Sequence, residues 1–507
     1  MKARVIVVLA VVLASFVSAS TAQAQLRMPD PVDEAIVDAL REDLAKASQF
    51  YSDNDAAAAD RLFDKALASP GFAVLEPGER YRTLLRAGGA ALDLNAPRKA
   101  HPLLVRACGF DEAEGIAWHM RLRAAYMIDD HVDSANSVAF IARRWPQALD
   151  QVRERAIFDI SNHLGKSAAN RDARMAMLTA LFDANWTNEG RQPSWLWKDL
   201  VRFLVETGDM PRATEVAARI DAPEIILAFR VDKRFDGLVR ARSGGFDIER
   251  VMKREREHIG ALREQHPKRL SHIVDALELD VRDGHAERAL ALADEVIARV
   301  AADGMAAYTD SDDHYIWVLN SRARALTRLG RWDDAVAQFR KAARRPENGG
   351  MNVSQVLNLA RLLARLERPD DVEEAMEELG GMSPFGRMQL ALNRVMAAAA
   401  KGDAAALDAQ LAALRADRTE SMGTYQAALV QADRIEEAAA LLIERLRSDD
   451  WRSDALEEMQ TYADVAQAPR DTLHIARWRA ILERQDVQDA LDAVGRIERV
   501  PFANPLL

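Results

Sequence analysis

The stretch from Leu319 to Pro346 decides the fold, and it reads LNSRARALTRLGRWDDAVAQFRKAARRP. Its apolar and small residues recur at helical spacing in two blocks, which Gly330 separates. The residues that share one face of each block are Leu319, Ala323 and Leu326, then Ala335, Phe339 and Ala342. Small residues on both faces let two backbones approach closely. The stretch therefore predicts two short amphipathic helices, joined by a glycine turn and ended by Pro346.

The same pattern recurs along the chain, as a repeat protein requires. We took Ala335 as the register mark of the second helix. Equivalent marks are Ala59, Ala100, Ala135, Ala173, Ala213, Ala289, Val372, Leu407 and Ala438. Turns at Gly208, Gly284 and Gly402 take the place of Gly330. The long gap between Ala213 and Ala289 predicts one degenerate unit.

The order of large, small, glycine, aromatic and small residues in the opening stretch resembles a tetratricopeptide (TPR) repeat. This resemblance implies an all-α fold, a TPR-like right-handed helical solenoid of about nine to eleven helix pairs. It also implies that the first helices line a concave face, where extended peptides or partner helices bind.

The N-terminus is typical of a secretory signal peptide. Lys2 and Arg4 precede a short apolar run, and Ala22-Gln23-Ala24 provides small residues for cleavage. We expect residues 1–24 to be removed and the mature protein to be periplasmic. An uncleaved anchor is the alternative, although the apolar run is short for a membrane span. No later stretch predicts a transmembrane span.

Four further segments follow from the repeat pattern. They are N-terminal TPR-like repeats over 25–223, a degenerate repeat with a basic charged helix over 224–269, C-terminal TPR-like repeats over 270–450, and capping helices with an extended tail over 451–507. The basic helix, near 246–265, is expected to be solvated and held by pairs such as Lys253 with Glu257. The alternative is a docking surface for an acidic partner or an anionic lipid.

Composition and motifs exclude several functions. The chain has 68 basic and 79 acidic residues, a net charge of −11, which argues against non-specific nucleic-acid binding. Its one cysteine, Cys108, is expected to be a buried apolar residue rather than a nucleophile. The acidic stretch 301–314 is expected to be a solvated loop, because it lacks EF-hand spacing. No catalytic, metal-binding or cofactor-binding motif is found, so we predict a protein that is not an enzyme, with no cofactor and no metal.

The TPR resemblance, carried over residue by residue, predicts the groove-facing positions. They are Arg282, Trp317, Asn320, Arg324, Arg328, Asn358, Arg361 and Arg365. Arginine suits carboxylate recognition because its planar fork donates two parallel hydrogen bonds. The hypothesis is a basic groove for an acidic peptide, a terminal carboxylate or an anionic glycan. The alternative is that these arginines pair with neighbouring acids such as Asp280 or Glu367.

The expected function is a periplasmic scaffold that binds a peptide or a segment of a partner protein in its concave groove. Two alternatives remain open. One is a cell-envelope enzyme with an unrecognised site, which would show a deep pocket with convergent titratable groups. The other is a structural subunit of a secretion or assembly complex, which would show large exposed apolar surfaces.

Overall fold

The computed structural model describes residues 33–242, 244–347, 350–377 and 379–504. The chain divides between Leu164 and Gly165 into two compact units, called unit 1 and unit 2 below. The predicted signal peptide, residues 1–24, lies outside the described residues. None of the described helices combines the length and the apolar character that crossing a membrane requires.

The described residues of unit 1, which begin at Asp33, form helices. They are α1 (Glu34–Ser52), α2 (Ala56–Ala68), α3 (Pro77–Asp93), α4 (Pro97–Ala107), α5 (Gly115–Met127), α6 (His131–Arg144) and α7 (Glu154–Gly165), with 3-10 helices at Pro70–Val74 and Pro146–Gln151. Cys108 is half-buried beside the core of this unit, and burial raises the pKa of its thiol to about 11. An unreactive thiol agrees with the predicted packing role.

Unit 2 contains the remaining elements. Its first part comprises α8 (Arg171–Asp183), α9 (Ser194–Glu206), α10 (Met210–Ala217), α11 (Pro223–Val231), α12 (Asp236–Ala241), α13 (Ile248–Gln265), α14 (Leu270–Arg282), α15 (Ala286–Asp303), α16 (Ser311–Arg328) and α17 (Trp332–Ala343). Its second part comprises α18 (Val353–Arg365), α19 (Pro369–Ala375), α20 (Pro384–Lys401), α21 (Ala404–Ala416), α22 (Met422–Gln431), α23 (Ile435–Arg447), α24 (Arg452–Glu458), β1 (Thr461–Ala463), α25 (Pro469–Leu482), α26 (Gln485–Val494) and β2 (Arg499–Ala503). Short 3-10 helices lie at Ala168–Asn170, Lys233–Phe235, Met305–Ala307 and Arg418–Glu420. The two strands pair in parallel.

Consecutive helices form tight hairpins, which confirms the predicted all-α class and its TPR-like helix pairs. In the described part of the chain nine such pairs pack together, within the predicted nine to eleven: α1/α2, α3/α4, α5/α6, α9/α10, α14/α15, α16/α17, α18/α19, α20/α21 and α22/α23. Each of these nine turns holds one residue with positive φ: Asn54, Asn95, Asp129, Gly208, Gly284, Gly330, Glu367, Gly402 and Asp433. The left-handed residue ends the first helix and reverses the chain.

The predicted register marks lie in the core. Eight of the ten have no exposed surface, and only Ala173 and Leu407 are partly exposed. In eight of the nine hairpins the mark follows the positive-φ residue by five positions. The exception is Ala135, which follows Asp129 by six. The equivalent residue there is Ser134, which is also fully buried, so the predicted mark is one residue late.

The predicted degenerate segment, residues 224–269, corresponds to three α-helices, α11 to α13. The predicted charged helix is α13, and its pair of Lys253 with Glu257 is present at 3.8 Å. Its arginines, however, bind other elements of unit 2. Arg256 contacts Asp280 at 2.8 Å and Asp283 at 2.6 Å. The basic segment therefore packs within unit 2 through ion pairs. The expectation of a solvated helix did not include these contacts.

The acidic stretch 301–314 also has a packing role. It contains the end of α15, a 3-10 turn and the start of α16. Asp310 accepts hydrogen bonds from the backbone N–H groups of Leu270 at 2.7 Å and Ser271 at 3.0 Å. A carboxylate at the first turn of α14 satisfies otherwise unpaired donors and interacts favourably with the helix dipole. The expectation of a solvated loop is thus wrong for Asp310.

Candidate ligand-binding groove

The predicted groove residues lie on three first helices of unit 2, namely α14, α16 and α18. Helix α14 packs against α16, and the Asn358 side chain on α18 donates to Asn320 on α16 at 2.9 Å. Trp317 is half-buried against the core formed by α14 to α16. The surface that these predicted residues form on α14, α16 and α18 is called the groove below. Whether its residues bind a partner stays a prediction.

Arg282 is neutralised by acidic side chains. Its guanidinium lies 3.0 Å from Glu224, 2.7 Å from Glu255 and 2.8 Å from Asp283. Burial lowers the pKa of Arg282, but the carboxylates of Glu224 and Glu255 outweigh it and raise that pKa overall. Burial also raises the pKa of Glu255 to about 7, against the opposing effect of Arg282. Arg282 is therefore an internal ion-pair residue.

Arg365 is neutralised by α25. Its Nε donates to Asp471 Oδ1 at 2.9 Å and its Nη2 donates to Oδ2 at 2.7 Å. Both residues are buried. Two parallel hydrogen bonds in a buried site form the strongest kind of arginine–carboxylate contact. The predicted alternative, in which groove arginines pair with acids, holds for Arg282 and Arg365. The acids differ from those expected, because Asp280 contacts Arg256 and Arg288 instead.

Arg328 has one hydrogen-bond acceptor among the described residues. Its Nη2 donates to the backbone carbonyl of Asn504 at 2.8 Å. Its Nη1 is buried and has no partner among the residues that the structure describes. Burial, together with the positive charges of Arg324 and Arg365, lowers the pKa of Arg328 to about 10. The guanidinium thus lies in an environment that disfavours its charge.

Arg361 binds neutral groups. Its Nε donates to Asn393 Oδ1 at 2.7 Å, and its Nη2 donates to Gln389 Oε1 at 2.6 Å. Both amides belong to α20, the next first helix. Burial and the nearby charge of Arg365 lower the pKa of Arg361 to about 10. Because amide oxygens carry no formal charge, this arginine is oriented but not neutralised.

Arg324 has neither a hydrogen bond nor an ion pair to any described residue. Its positive charge acts on Glu278 of α14, whose side chain keeps solvent-exposed surface and likewise makes no hydrogen bond with the described part of the chain. The protein atoms around Glu278 remove part of the hydration of its carboxyl and raise its pKa, while Arg324 opposes that shift. Glu278, Arg324 and Arg361 occupy equivalent positions, eleven residues before the marks of their repeats. They form a row along the groove that changes from acidic to basic.

The C-terminal segment of the chain lies in this groove. Helix α25 packs against α18, α22 and α23. Strand β2 packs against α14, where the buried ring of Phe502 lies 5.8 Å from the Arg282 guanidinium. The predicted tail is therefore extended at residues 499–503, and it lies inside unit 2.

Ion pairs join the beginning and the end of unit 2. Lys198 Nζ on α9 lies 2.7 Å from Glu457 on α24. Arg230 on α11 contacts Glu498 at 2.9 Å, and the backbone N–H of Arg496 donates to a carbonyl of α11 at 3.0 Å. Burial raises the pKa of Glu457 despite the charge of Lys198. These contacts, called the closure below, join elements about 260 residues apart in sequence.

Sequence reasoning missed several residues of this site. Glu278 could have been found by counting eleven residues back from Ala289, as for Arg324. Asp471 carries a weaker signal, since it follows Pro469 and accepts from the backbone N–H of Ala468 at 2.7 Å, as acids in a first helical turn do. Nothing local predicts that α25 folds back to Arg365.

Comparisons with known proteins bear on the fold alone. No family model matches the chain, and no curated protein matches it. Similar solved structures include the APC/C hetero-tetramer Cut9-Hcn1, with 12% identity over 90% of this chain and 89% of that chain and a TM-score of 0.29. The human IFIT1 dimer with PPP-AAAA has 12% identity over 76% and 84%, with a TM-score of 0.28. A Rap protein complexed with Competence and Sporulation Factor has 11% identity over 90% and 99%, with a TM-score of 0.25. Similarity at this level says nothing about the partner.

Proposed function

We propose that this protein is an exported helical-repeat scaffold that binds an acidic segment of a partner protein in the groove of unit 2. One observation carries the proposal. Arg324 and Arg328 on α16 and Arg361 on α18 make no hydrogen bond or ion pair with any carboxylate of the described chain, and the charge of Arg365 acts on both Arg328 and Arg361.

Burying guanidinium charges without counter-charges is energetically unfavourable. Arg282 and Arg365 show how the same unit neutralises an arginine when a carboxylate is available. Arg328 and Arg361 are held by neutral acceptors, Arg324 makes no hydrogen bond with the described chain, and all three lack a carboxylate partner there. A bound carboxylate would supply the missing charge, and the arginine fork would fix its orientation. An acidic peptide segment is the ligand class that best satisfies several such sites along one groove.

Export is proposed from the N-terminal sequence, with its basic start, short apolar run and small-residue cleavage site. Alkaline phosphatase fused to the C-terminus provides the test, because it becomes active only after export. We expect activity from the full-length fusion and none when residues 2–24 are deleted. Equal activity from both fusions would contradict export through this signal.

Unit 1 supports a second candidate function, that of a subunit in a larger envelope complex. Of the fourteen exposed large hydrophobic side chains in the described chain, nine lie in unit 1: Ile36, Phe50, Val74, Leu94, Val105, Ile116, Met127, Val132 and Phe140. Exposed apolar side chains are common on protein–protein contact surfaces. In this arrangement unit 1 would contact a stable partner while unit 2 binds the acidic segment.

Affinity purification from a cross-linked envelope fraction tests the groove function. The Arg324→Glu and Arg361→Glu variants reverse charge inside the groove. The matched control is Arg340→Glu, an exposed arginine on α17 of the same repeat as Arg324. We expect the groove variants to lose partners that the wild type and the control recover, as identified by mass spectrometry. Recovery of the same partners by all four proteins would exclude the groove as the binding site.

A further inference from the structure

Helix α25 is held in the groove chiefly by polar contacts. The buried residues of this helix are Arg470, Asp471 and Ile481. Ile481 is the one apolar side chain among them. Leu473 on the same helix is 46% exposed. Helix α23, which α25 contacts, buries five apolar side chains. By this measure α25 is packed less firmly than its neighbour α23, and about as loosely as the short repeat helix α19, which buries only Val372.

The polar contacts of α25 concentrate at one end of α22. Arg470 Nε donates to Gln431 Oε1 at 2.8 Å, and Arg477 Nη1 donates to the Gln431 carbonyl at 2.8 Å. Asp471 contributes the two hydrogen bonds to Arg365. Water or another ligand can replace hydrogen bonds of this kind, whereas lost hydrophobic burial has no such replacement. Detachment of α25 therefore loses mainly hydrogen bonds, which an incoming ligand can replace.

We propose that α25 is a displaceable occupant of the groove, and that an acidic segment of the partner takes the place of Asp471 at Arg365. This inference rests on the proposed function and adds its regulation. In the free protein Asp471 neutralises Arg365. In the bound protein one carboxylate of the partner accepts the same two hydrogen bonds, and further carboxylates reach Arg361, Arg328 and Arg324.

Displacement of α25 predicts how the apparent dissociation constant of the ligand changes. When only the detached form binds, the apparent dissociation constant equals the intrinsic constant divided by the detached fraction. Removing the Asp471 charge raises the detached fraction and therefore tightens binding. If α25 stayed in place during binding, removing the Asp471 charge would leave the affinity for the ligand unaltered.

The test uses a fluorescein-labelled peptide of ten glutamates and fluorescence anisotropy on the full-length mature protein. We expect Asp471→Asn to lower the dissociation constant about tenfold or more. The matched control is Asp486→Asn, which removes an exposed carboxylate paired with Arg484 at the start of α26 and should bind as the wild type does. Equal affinities of Asp471→Asn and wild type would overturn the displacement.

A cross-link tests the same inference without removing Asp471. Gln431 Nε2 and His474 Nδ1 lie 3.3 Å apart, so cysteines at these two positions, in a Cys108→Ser background, can be joined by a cleavable bismaleimide. The joined protein should bind the peptide at least tenfold more weakly than the same protein after cleavage. Equal binding before and after cleavage would also overturn displacement.

The outcomes separate the two proposals. If Arg324→Glu weakens peptide binding but neither Asp471→Asn nor the cross-link changes it, the groove binds acidic peptides while α25 stays in place. If Arg324→Glu binds the peptide as tightly as the wild type does, the proposed groove function fails, and displacement fails with it.

Discussion

Asp471 and Arg365 form a buried, two-hydrogen-bond ion pair although they are 106 residues apart in sequence. The pair joins α25 to α18, a first helix of the groove. It shows that one arginine of the predicted basic groove already binds a carboxylate that the chain itself provides. The same site would accept a carboxylate from another protein.

The first prediction concerns what holds α25 in place. Asp471→Asn leaves Arg365 buried without a counter-charge, and breaking a buried pair of this kind costs about 3–5 kcal/mol. We expect the amides of α25 to exchange with solvent much faster in hydrogen-exchange mass spectrometry, while α3 and α4 of unit 1 keep their protection. In the control, Asp486→Asn, α25 should exchange as in the wild type. Unchanged exchange of α25 in Asp471→Asn would contradict the role of the pair.

The second prediction concerns pH. Burial, with the positive charges of Arg361, Arg477 and Arg365, lowers the pKa of His474 to about 4, against the opposing effect of Asp471. The ordinary value of 6.5 applies to the unfolded chain. The folded state thus favours neutral histidine, and this contribution to stability is present above pH 6.5 and lost as the pH falls towards 4.

His474→Gln isolates that effect, because glutamine does not titrate. Between pH 7 and pH 4.5 the wild type should lose up to about 3 kcal/mol more unfolding free energy than the variant. Urea titrations at both pH values measure the difference, and carboxylates that titrate in the same range cancel in the comparison. An identical pH dependence of the two proteins would show that His474 does not sense pH in the folded state.

The third prediction concerns the closure of unit 2. Lys198→Met leaves the Glu457 carboxylate in a largely buried site without its cation, which should cost about 3–5 kcal/mol of unfolding free energy. Lys198→Met combined with Glu457→Gln removes both charges and should recover most of that loss. Lys46→Met, which removes an exposed lysine paired with Glu42, should leave the stability close to that of the wild type. Failure of the double variant to recover stability would contradict the pairing.

The fourth prediction concerns the close approach of helices in unit 1. A Cβ added at Gly88 on α3 would lie 2.6 Å from Cγ and Cδ2 of the buried Leu104 on α4. Gly88→Ala should therefore destabilise unit 1 by about 1–3 kcal/mol, as other overpacked cores are destabilised. Gly78→Ala in the same helix meets only the flexible end of Arg82 at 3.3 Å and should be close to neutral. Equal thermal stability of the two variants would refute the packing constraint.

Much of the fold was predictable because the repeat signal is local. The small residues of the opening repeat, such as Ala323 and Ala335, have no exposed surface, as their spacing predicts. Turns were harder to predict where Asn54 or Glu367 takes the place of glycine at a positive φ, because these residue types do not by themselves indicate a turn. The one-residue slip at Ala135 arose in this way, since Asp129 was not recognised as the turn residue.

The groove was predictable only in part. Repeat geometry places Arg324, Arg361 and Arg365 on first helices, and the structure has them there. Their partners depend on long-range folding, since Asp471 reaches Arg365 from 106 residues away and Glu224 reaches Arg282 from 58. No local pattern encodes such contacts. The sequence therefore indicates which side chains line the groove but cannot indicate which of them the chain itself neutralises.

The central claim is that an acidic ligand and α25 compete for the groove of unit 2. Hydrogen-exchange mass spectrometry of the wild-type protein, with and without a saturating concentration of the ten-glutamate peptide, tests it most directly. We predict that the peptide increases exchange in α25 and decreases exchange in α16 and α18. Increased protection of α25, or unchanged exchange in all three helices at saturation, would contradict the account.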